Sequence, residues 1–294
     1  MNTPDEQALL DLTSPPHRVV SLVPSVTESL FDLGLGSMVV GCTTYCVAPV
    51  AAQRLPHVGG PKDARLGDIL ALRPDLVIAS RDENGFSTVA ALQRGGVPVW
   101  VVTPHCVREV VQMLWRMVGI FRSDAAAQRV RLLEEALERC EWTADDFEPW
   151  RYFCPIWQDV LAGRTWWMTF NQDTYCSDLL GLFGGQNVFA ERQRRYPLEA
   201  DLGLGEPEEL VGRDVRYPRL TKDEVLRADP EVILLPNEPF AFAEEHRQQL
   251  MKTFARTQAV RQGRVYFLDG SLLTWAGTRL GRALMELPDA LGLV

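Results

Sequence analysis

The amino-acid sequence predicts an α/β protein of two similar lobes, each a mostly parallel sheet flanked by helices, joined by a long connecting helix. Three observations carry that expectation. The run Ile69-Leu-Ala-Leu-Arg-Pro-Asp-Leu-Val-Ile78 is repeated as Val225-Leu-Arg-Ala-Asp-Pro-Glu-Val-Ile-Leu234, without a gap, at an offset of 156 residues. Each copy reads as the last turn of a helix, a proline-acid corner and a buried strand. Proline cannot continue a helix, and it pushes its predecessor out of the α region. Further on, Val99-Trp-Val-Val-Thr103 is echoed by Val265-Tyr-Phe-Leu-Asp269. Both halves also open alike, with a strand (18–23 and 151–156) and then a helix stopped by glycine, at Gly34 and at Gly184-Gly185. Strands alternating with helical patterns mean βα units and parallel pairing.

Taken in order, residues 17–105 form the first lobe. Residues 106–143 form the connecting helices. Val107, Val110, Val111, Leu114, Met117, Val118 and Phe121 fall on one helical face, and Ala127, Val130, Leu133 and Leu137 mark a second one. Residues 144–294 form the second lobe, with a charged, proline-rich insertion near 191–220. Thr221-Lys-Asp-Glu224 then reads as a capping box that starts the next helix.

Composition excludes several classes of function. With 39 acidic against 30 basic residues the net charge is −9, which on average repels polyanions, so no nucleic-acid partner is expected. No run of 18 apolar residues occurs, so no spanning helix is expected. The N-terminus has no basic region followed by an apolar stretch and a small-residue cleavage site. As sequenced, the chain is therefore expected in the cytoplasm, the alternative being an extracytoplasmic protein whose export signal was removed. The six cysteines show no CxxC pair and read as reduced core residues. His17, His57, His105 and His246 never fall at helical ligand spacing, so no metal site is expected. No nucleophile elbow, zincin or P-loop motif is present, and an enzyme is not expected.

Against this background the chain resembles the helical-backbone (class III) periplasmic binding proteins of ABC importers for cobalamin, iron siderophores and haem. The resemblance rests on the strand at 18–23 followed by Pro24-Ser-Val-Thr-Glu28, on Val58-Gly-Gly60, on the repeated corner at 69–78, and on Leu179-Leu-Gly-Leu-Phe-Gly-Gly-Gln-Asn-Val-Phe189. Gly41-Cys-Thr-Thr-Tyr45, followed by Pro49, is similar to the vitamin B12 binders of that family. It implies a substrate-binding protein that holds cobalamin or a related corrinoid in the cleft between the lobes. The alternatives are a ferric siderophore or haem on the same fold, or, in another class, a metal-cluster or chelatase-like enzyme on a two-lobed scaffold. No cofactor is implied beyond the ligand itself, a cobalamin or other metal chelate. The resemblance also implies a monomer with an ABC importer permease as partner. Docking in the family uses one acidic residue per lobe. Here the match is Asp223 in the second lobe, but Gly67 in the first, with Asp68 beside it.

The candidate ligand-binding residues are Tyr45, Trp157, Trp167, Asn171, Trp275 and Arg279. Tyr45 is expected at the end of a strand, Trp157 after the first strand of lobe two, and Trp166-Trp167 in the next loop. A corrin or porphyrin offers broad flat apolar faces, which aromatic side chains cover with little entropy loss. Asn171, with Gln172 and Thr174 just before a helix, offers polar contacts to a ligand edge. Thr174 reads equally well as an N-cap. Arg279 suits a carboxylate, phosphate or siderophore oxygen. Trp115, Trp142 and Trp150 are read as core or surface hydrophobes without a binding role.

Overall fold

The computed structural model describes residue 12 and residues 14–292. The reading of the N-terminus therefore lies partly outside the described residues. The chain divides into two compact units, residues 1–137 with 275–282, and residues 138–274 with 283–294.

The first unit contains β1 (Val19–Ser21), α1 (Pro24–Asp32), β2 (Val39–Cys42), α2 (Leu66–Ala71), β3 (Leu76–Ser80), α3 (Phe86–Arg94), β4 (Val99–Val102), α4 (Val107–Phe121) and most of α5 (Asp124–Trp142). Its strands pair in parallel in the order β2-β1-β3-β4. β3 is buried along its whole length, as expected of a central parallel strand. Val20, Val77, Ala79, Ile69 and Leu92 pack into one core. α1 begins with Pro24, whose missing N–H would have no helical partner at that position.

The second unit contains β5 (Trp150–Phe153), β6 (Trp157–Leu161), β7 (Arg164–Met168), α6 (Tyr175–Gly181), β8 (Gly185–Asn187), α7 (Leu198–Asp201), β9 (Arg219–Leu220), α8 (Lys222–Ala228), β10 (Val232–Pro236), α9 (Glu244–Thr253), α10 (Gln258–Arg261), β11 (Val265–Leu268) and α11 (Gly270–Thr274). The last helix, α12 (Leu280–Ala290), starts in the first unit's C-terminal segment and ends in the second unit. The second parallel sheet runs β11-β10-β5-β8, which is the same order as the first read from the other end.

The internal repeat is therefore structural. α2–β3 and α8–β10 keep the offset of 156 residues. Even the corner is copied, since Arg73 and Asp229, each before a proline, both take positive φ, at 45°. The capping box of α8 forms, with the Thr221 hydroxyl accepting from Glu224 N–H and the Glu224 carboxylate accepting from Thr221 N–H at 2.8 Å.

Two sequence expectations change. Trp166 and Trp167 do not sit in a loop; they lie in β7, the middle strand of a small antiparallel sheet β6-β7-β9 that leaves the carboxyl end of β5. The proline-rich insertion near 191–220 carries regular structure of its own. It contains α7 and β9, and it is anchored by the buried Asp201, which accepts from the backbone N–H groups of Arg195 and Arg219. Among the described residues no helix is long and apolar enough to cross a membrane.

Candidate functional site

In open parallel sheets, ligands gather outside the carboxyl ends of the strands. In the first unit that edge carries the turn after β2. Tyr45 lies just past the strand rather than ending it, and its side chain is 64% exposed. The turn is rigid beneath that ring. Thr44 N–H donates to Gly59 carbonyl at 2.9 Å, and Gly59 has φ of +101°, a conformation open to glycine. A Cβ added to Gly60 would come within 3.3 Å of the Tyr45 ring, so the ring rests on bare backbone. Asn84, which sequence reasoning missed, ties the edge together. Its Oδ1 accepts from Ser80 N–H at 2.7 Å, and its Nδ2 donates to Pro61 carbonyl at 2.8 Å and Leu22 carbonyl at 3.3 Å. Nothing in the hydrophobic pattern signals such a residue, because its role is made by three segments distant in sequence.

Under the same turn sits Cys46, buried, with its Sγ 3.1 Å from Thr27 Oγ1 and 3.3 Å from Thr43 Oγ1. The neighbouring Cys42 thiol, with help from the Thr27 and Thr43 hydroxyls, holds the Cys46 thiol below its ordinary value against the opposing effect of burial. Cys42, Cys46, Cys154 and Cys176 are buried, and Cys106 and Cys140 are half-buried.

Two further candidates belong to the first unit through its C-terminal segment. Arg279 places its guanidinium 4.3 Å from the Trp275 ring centre. The same guanidinium is bound to both oxygens of Glu28, Nε at 2.8 Å from Oε2 and the terminal nitrogen to Oε1. Arg279, expected to meet a ligand oxygen, is thus held by a shielded carboxylate. Trp275 is half-buried beneath it.

In the second unit, Trp157 opens β6 at the carboxyl side of β5 and is 39% exposed. Its ring meets Phe240 edge-on at 5.6 Å, and Phe240 continues to Phe242 at 4.7 Å and His246 at 5.0 Å. Phe240, Phe242 and His246 follow the carboxyl end of β10. Their clustering with Trp157 was hidden because they lie some 80 residues away. Trp167 is corrected. It is 2% exposed, stacks near Phe254 at 4.9 Å and donates its Nε1–H to Gln158 at 2.8 Å, so it is core. Asn171 is corrected too. It is buried, its N–H donates to Arg216 carbonyl at 2.8 Å, and its Oδ1 accepts from Asp173 N–H, so it shapes a turn instead of facing a ligand. Thr174 is the N-cap of α6, accepting from Ser177 N–H, and Gln172 is exposed.

The remaining tryptophans fall as read from the sequence or nearly so. Trp150 is buried and donates to Phe183 carbonyl, Trp142 is exposed, and Trp115 is half-buried with its Nε1–H on Glu134. Asp68 and Asp223 are both exposed on the first turns of α2 and α8. Among the described residues, no group of three or more His, Cys, Asp or Glu side chains is arranged to hold a metal.

The pattern of the periplasmic binding protein family matches residues 19–272. The chain belongs to that family. A vitamin B12-binding protein of Yersinia pestis (strain Pestoides F) is 25% identical over 222 residues, covering 74% of this chain and 69% of its own. Among solved structures, the periplasmic vitamin B12 binding protein of Vibrio cholerae superposes with a TM-score of 0.75 at 22% identity, covering 95% of this chain and 98% of that one. The periplasmic haem-binding protein of Roseiflexus sp. RS-1, in apo form, gives 0.70 at 24% identity, with 95% and 98% covered. These likenesses carry the fold: two-domain α/β binding proteins with parallel sheets flanked by helices. The family and these relatives are described as binding proteins.

Proposed function

We propose that this chain binds cobalamin or a related corrinoid and hands it to an ABC importer. The observation that carries the reading is the Tyr45 ring, held by a stiff turn at the carboxyl edge of the first sheet yet left exposed. A large aromatic face that packing does not need is what a flat apolar ligand requires. The Trp157–Phe240 pair offers a second such face at the carboxyl edge of the other sheet. The similarity to a protein described as vitamin B12-binding supports the corrinoid over other flat ligands. Haem is the second reading, supported by the haem-binding neighbour of nearly equal structural likeness. The ligand is cargo, with no resident cofactor, and the working form is a monomer.

Delivery to a permease rests on exposed acids. Asp223 occupies the second helical position of α8, while the equivalent position of α2 is Gly67, and the neighbouring Asp68 carboxylate is engaged by Arg65 at 2.5 Å. The periplasmic descriptions of the two solved structures favour work outside the cytoplasmic membrane over the cytoplasmic location expected from the sequence. Titration of the purified chain with cyanocobalamin, haemin and a ferric catecholate, followed by visible absorbance and tryptophan quenching, tests the ligand. Saturable binding of cyanocobalamin at the tightest affinity of the three is expected. No saturable binding of any of them would overturn the binding role.

A further inference from the structure

The small sheet β6-β7-β9 has an open edge. β6 and β7 pair from Trp157 opposite Met168 to Leu161 opposite Arg164. A two-residue turn closes them, with Ala162 and Gly163 both at positive φ, 49° and 74°. On its other side β7 is paired only at Trp167 and Met168, with Leu220 and Arg219. Beyond Leu220 the chain turns into α8, so β9 sets no residue opposite Thr165.

In an antiparallel ladder each residue sends its N–H and carbonyl to the same side, and successive residues alternate sides. Ile156 N–H donates to Met168 carbonyl, and Thr169 N–H donates to Pro218 carbonyl. The even-numbered residues of β7 therefore bond toward β6 and the odd-numbered ones toward β9. Trp167 meets Leu220 there. Thr165 presents a donor and an acceptor with no strand opposite among the described residues.

A cavity of about 690 Å³ lies against this edge, and Thr165 is part of its wall. That volume is in the range of small-ligand pockets. The cavity belongs wholly to the second unit. Its apolar wall includes the buried Trp166 and Leu202 and the half-buried Leu161. Arg164, Lys222 and Arg227 bring three cations against the single carboxylate of Asp223, so the lining is net positive in a chain whose net charge is −9. Trp157 stands at the other end of the hairpin, roughly 13 Å from Leu161 at about 3.3 Å per residue. This cavity is thus distinct from the aromatic face that Trp157 forms with Phe240.

An open N–H and an open carbonyl on one strand residue are answered together by another extended amide chain, as in strand addition. Carboxylates suit the cations around it, and an apolar side chain suits the walls. We propose that the cavity is a further binding site, for a short peptide with acidic side chains laid in extended form along β7, one of its residues opposite Thr165. Its occupant is tested without any flat ligand.

A tripeptide of glutamate, leucine and glutamate, acetylated and amidated at its ends, is titrated against the full chain by calorimetry and tryptophan fluorescence. Two controls run beside it: the same peptide with lysine for glutamate, and the glutamate peptide N-methylated at leucine, which removes the donor that would meet the Thr165 carbonyl. Saturable binding of the glutamate peptide, about tenfold tighter than either control, is expected. Weakening by about tenfold is expected in Arg164→Gln with Lys222→Gln, two exposed positions. No saturable binding by the native chain overturns the site, and this needs no variant to fold. A lysine peptide bound equally well overturns the choice of an acidic occupant, and an N-methylated peptide bound equally well overturns strand addition. Unchanged affinity in the double variant, with its melting curve showing it folded, puts the peptide elsewhere and overturns the cavity.

Discussion

Arg279 and Glu28 form a two-pronged ion pair that fastens the C-terminal segment of the first unit to α1. The side chains are only 10% and 13% exposed, and Trp275 covers the guanidinium on one face. Thr278 adds to the seam, its N–H donating to Ser29 Oγ at 3.0 Å and its hydroxyl to Asp32 Oδ2 at 2.7 Å. Residues 275–282 thus belong to the first unit although they follow the whole second sheet in sequence. The pair's role is structural. Glu28→Ala leaves a shielded guanidinium without its carboxylate, which costs about 3 kcal/mol, the low end for breaking a buried pair. Arg279→Ala is expected to cost as much, and the double variant less than their sum, in urea unfolding. Full additivity would show that the pair is not coupled.

Tyr45→Ala is expected to act on binding alone. The ring is exposed, so unfolding free energy changes by under about 0.5 kcal/mol. Loss of an aromatic anchor weakens binding by about 1–3 kcal/mol. Cyanocobalamin affinity and the melting curve, measured on the same preparation, separate the two. Unchanged affinity for every flat ligand that binds the native chain would remove Tyr45 from the site.

Trp167→Ala is expected to do the opposite. Its indole lies in the second unit's core beside Phe153, Leu220 and Phe254 and keeps its N–H satisfied. Its removal costs about 3–5 kcal/mol of stability. Ligand affinity of the folded fraction is expected to stay the same.

The contrast between Tyr45 and Trp167 shows what the sequence made legible. Parallel pairing and the repeat followed from corners such as Arg73-Pro74 and Asp229-Pro230, because helix termination and strand burial are local properties. Which tryptophan faces solvent is not local. Strand β7 buries both Trp166 and Trp167, and only its pairing between β6 and β9 brings them under cover. Asn84, Phe240 and the Glu28 partner of Arg279 were invisible for the same reason, since each acquires its role from residues distant in sequence.

Acid should loosen the charged insertion near 191–220. Burial raises the Asp214 carboxyl, but hydrogen bonds from the Arg216 side chain and backbone, and the charges of Arg216 and Arg194, outweigh it and leave the group below its ordinary value of 3.8. A carboxyl lowered by folding stabilises the fold above its unfolded pKa, and that contribution fades as pH falls through the folded one. Asp214→Asn is therefore expected to melt earlier than the native chain at pH 7, with the gap closing below pH 3.8. A gap that persists unchanged at pH 2–3 would assign the effect to packing instead of charge.

Gly67→Asp would complete the pair of acids proposed above for docking. Gly67 and Asp223 hold equivalent second positions of α2 and α8, and a Cβ at Gly67 meets nothing within 4 Å. Replacing a helical glycine removes backbone entropy from the unfolded state, and a carboxylate in the first turn favours the helix dipole. Together these should raise stability by about 1 kcal/mol. An exposed ion pair contributes about 0.2–1 kcal/mol, so one new acid should tighten contact with a permease by no more than roughly fivefold. Asp223→Ala should weaken the contact by a similar factor. Reconstitution with a vitamin B12 ABC importer permease, read as ligand-stimulated ATP hydrolysis against protein concentration, measures both. Half-maximal stimulation unmoved by either substitution would show that these helix starts do not meet the permease.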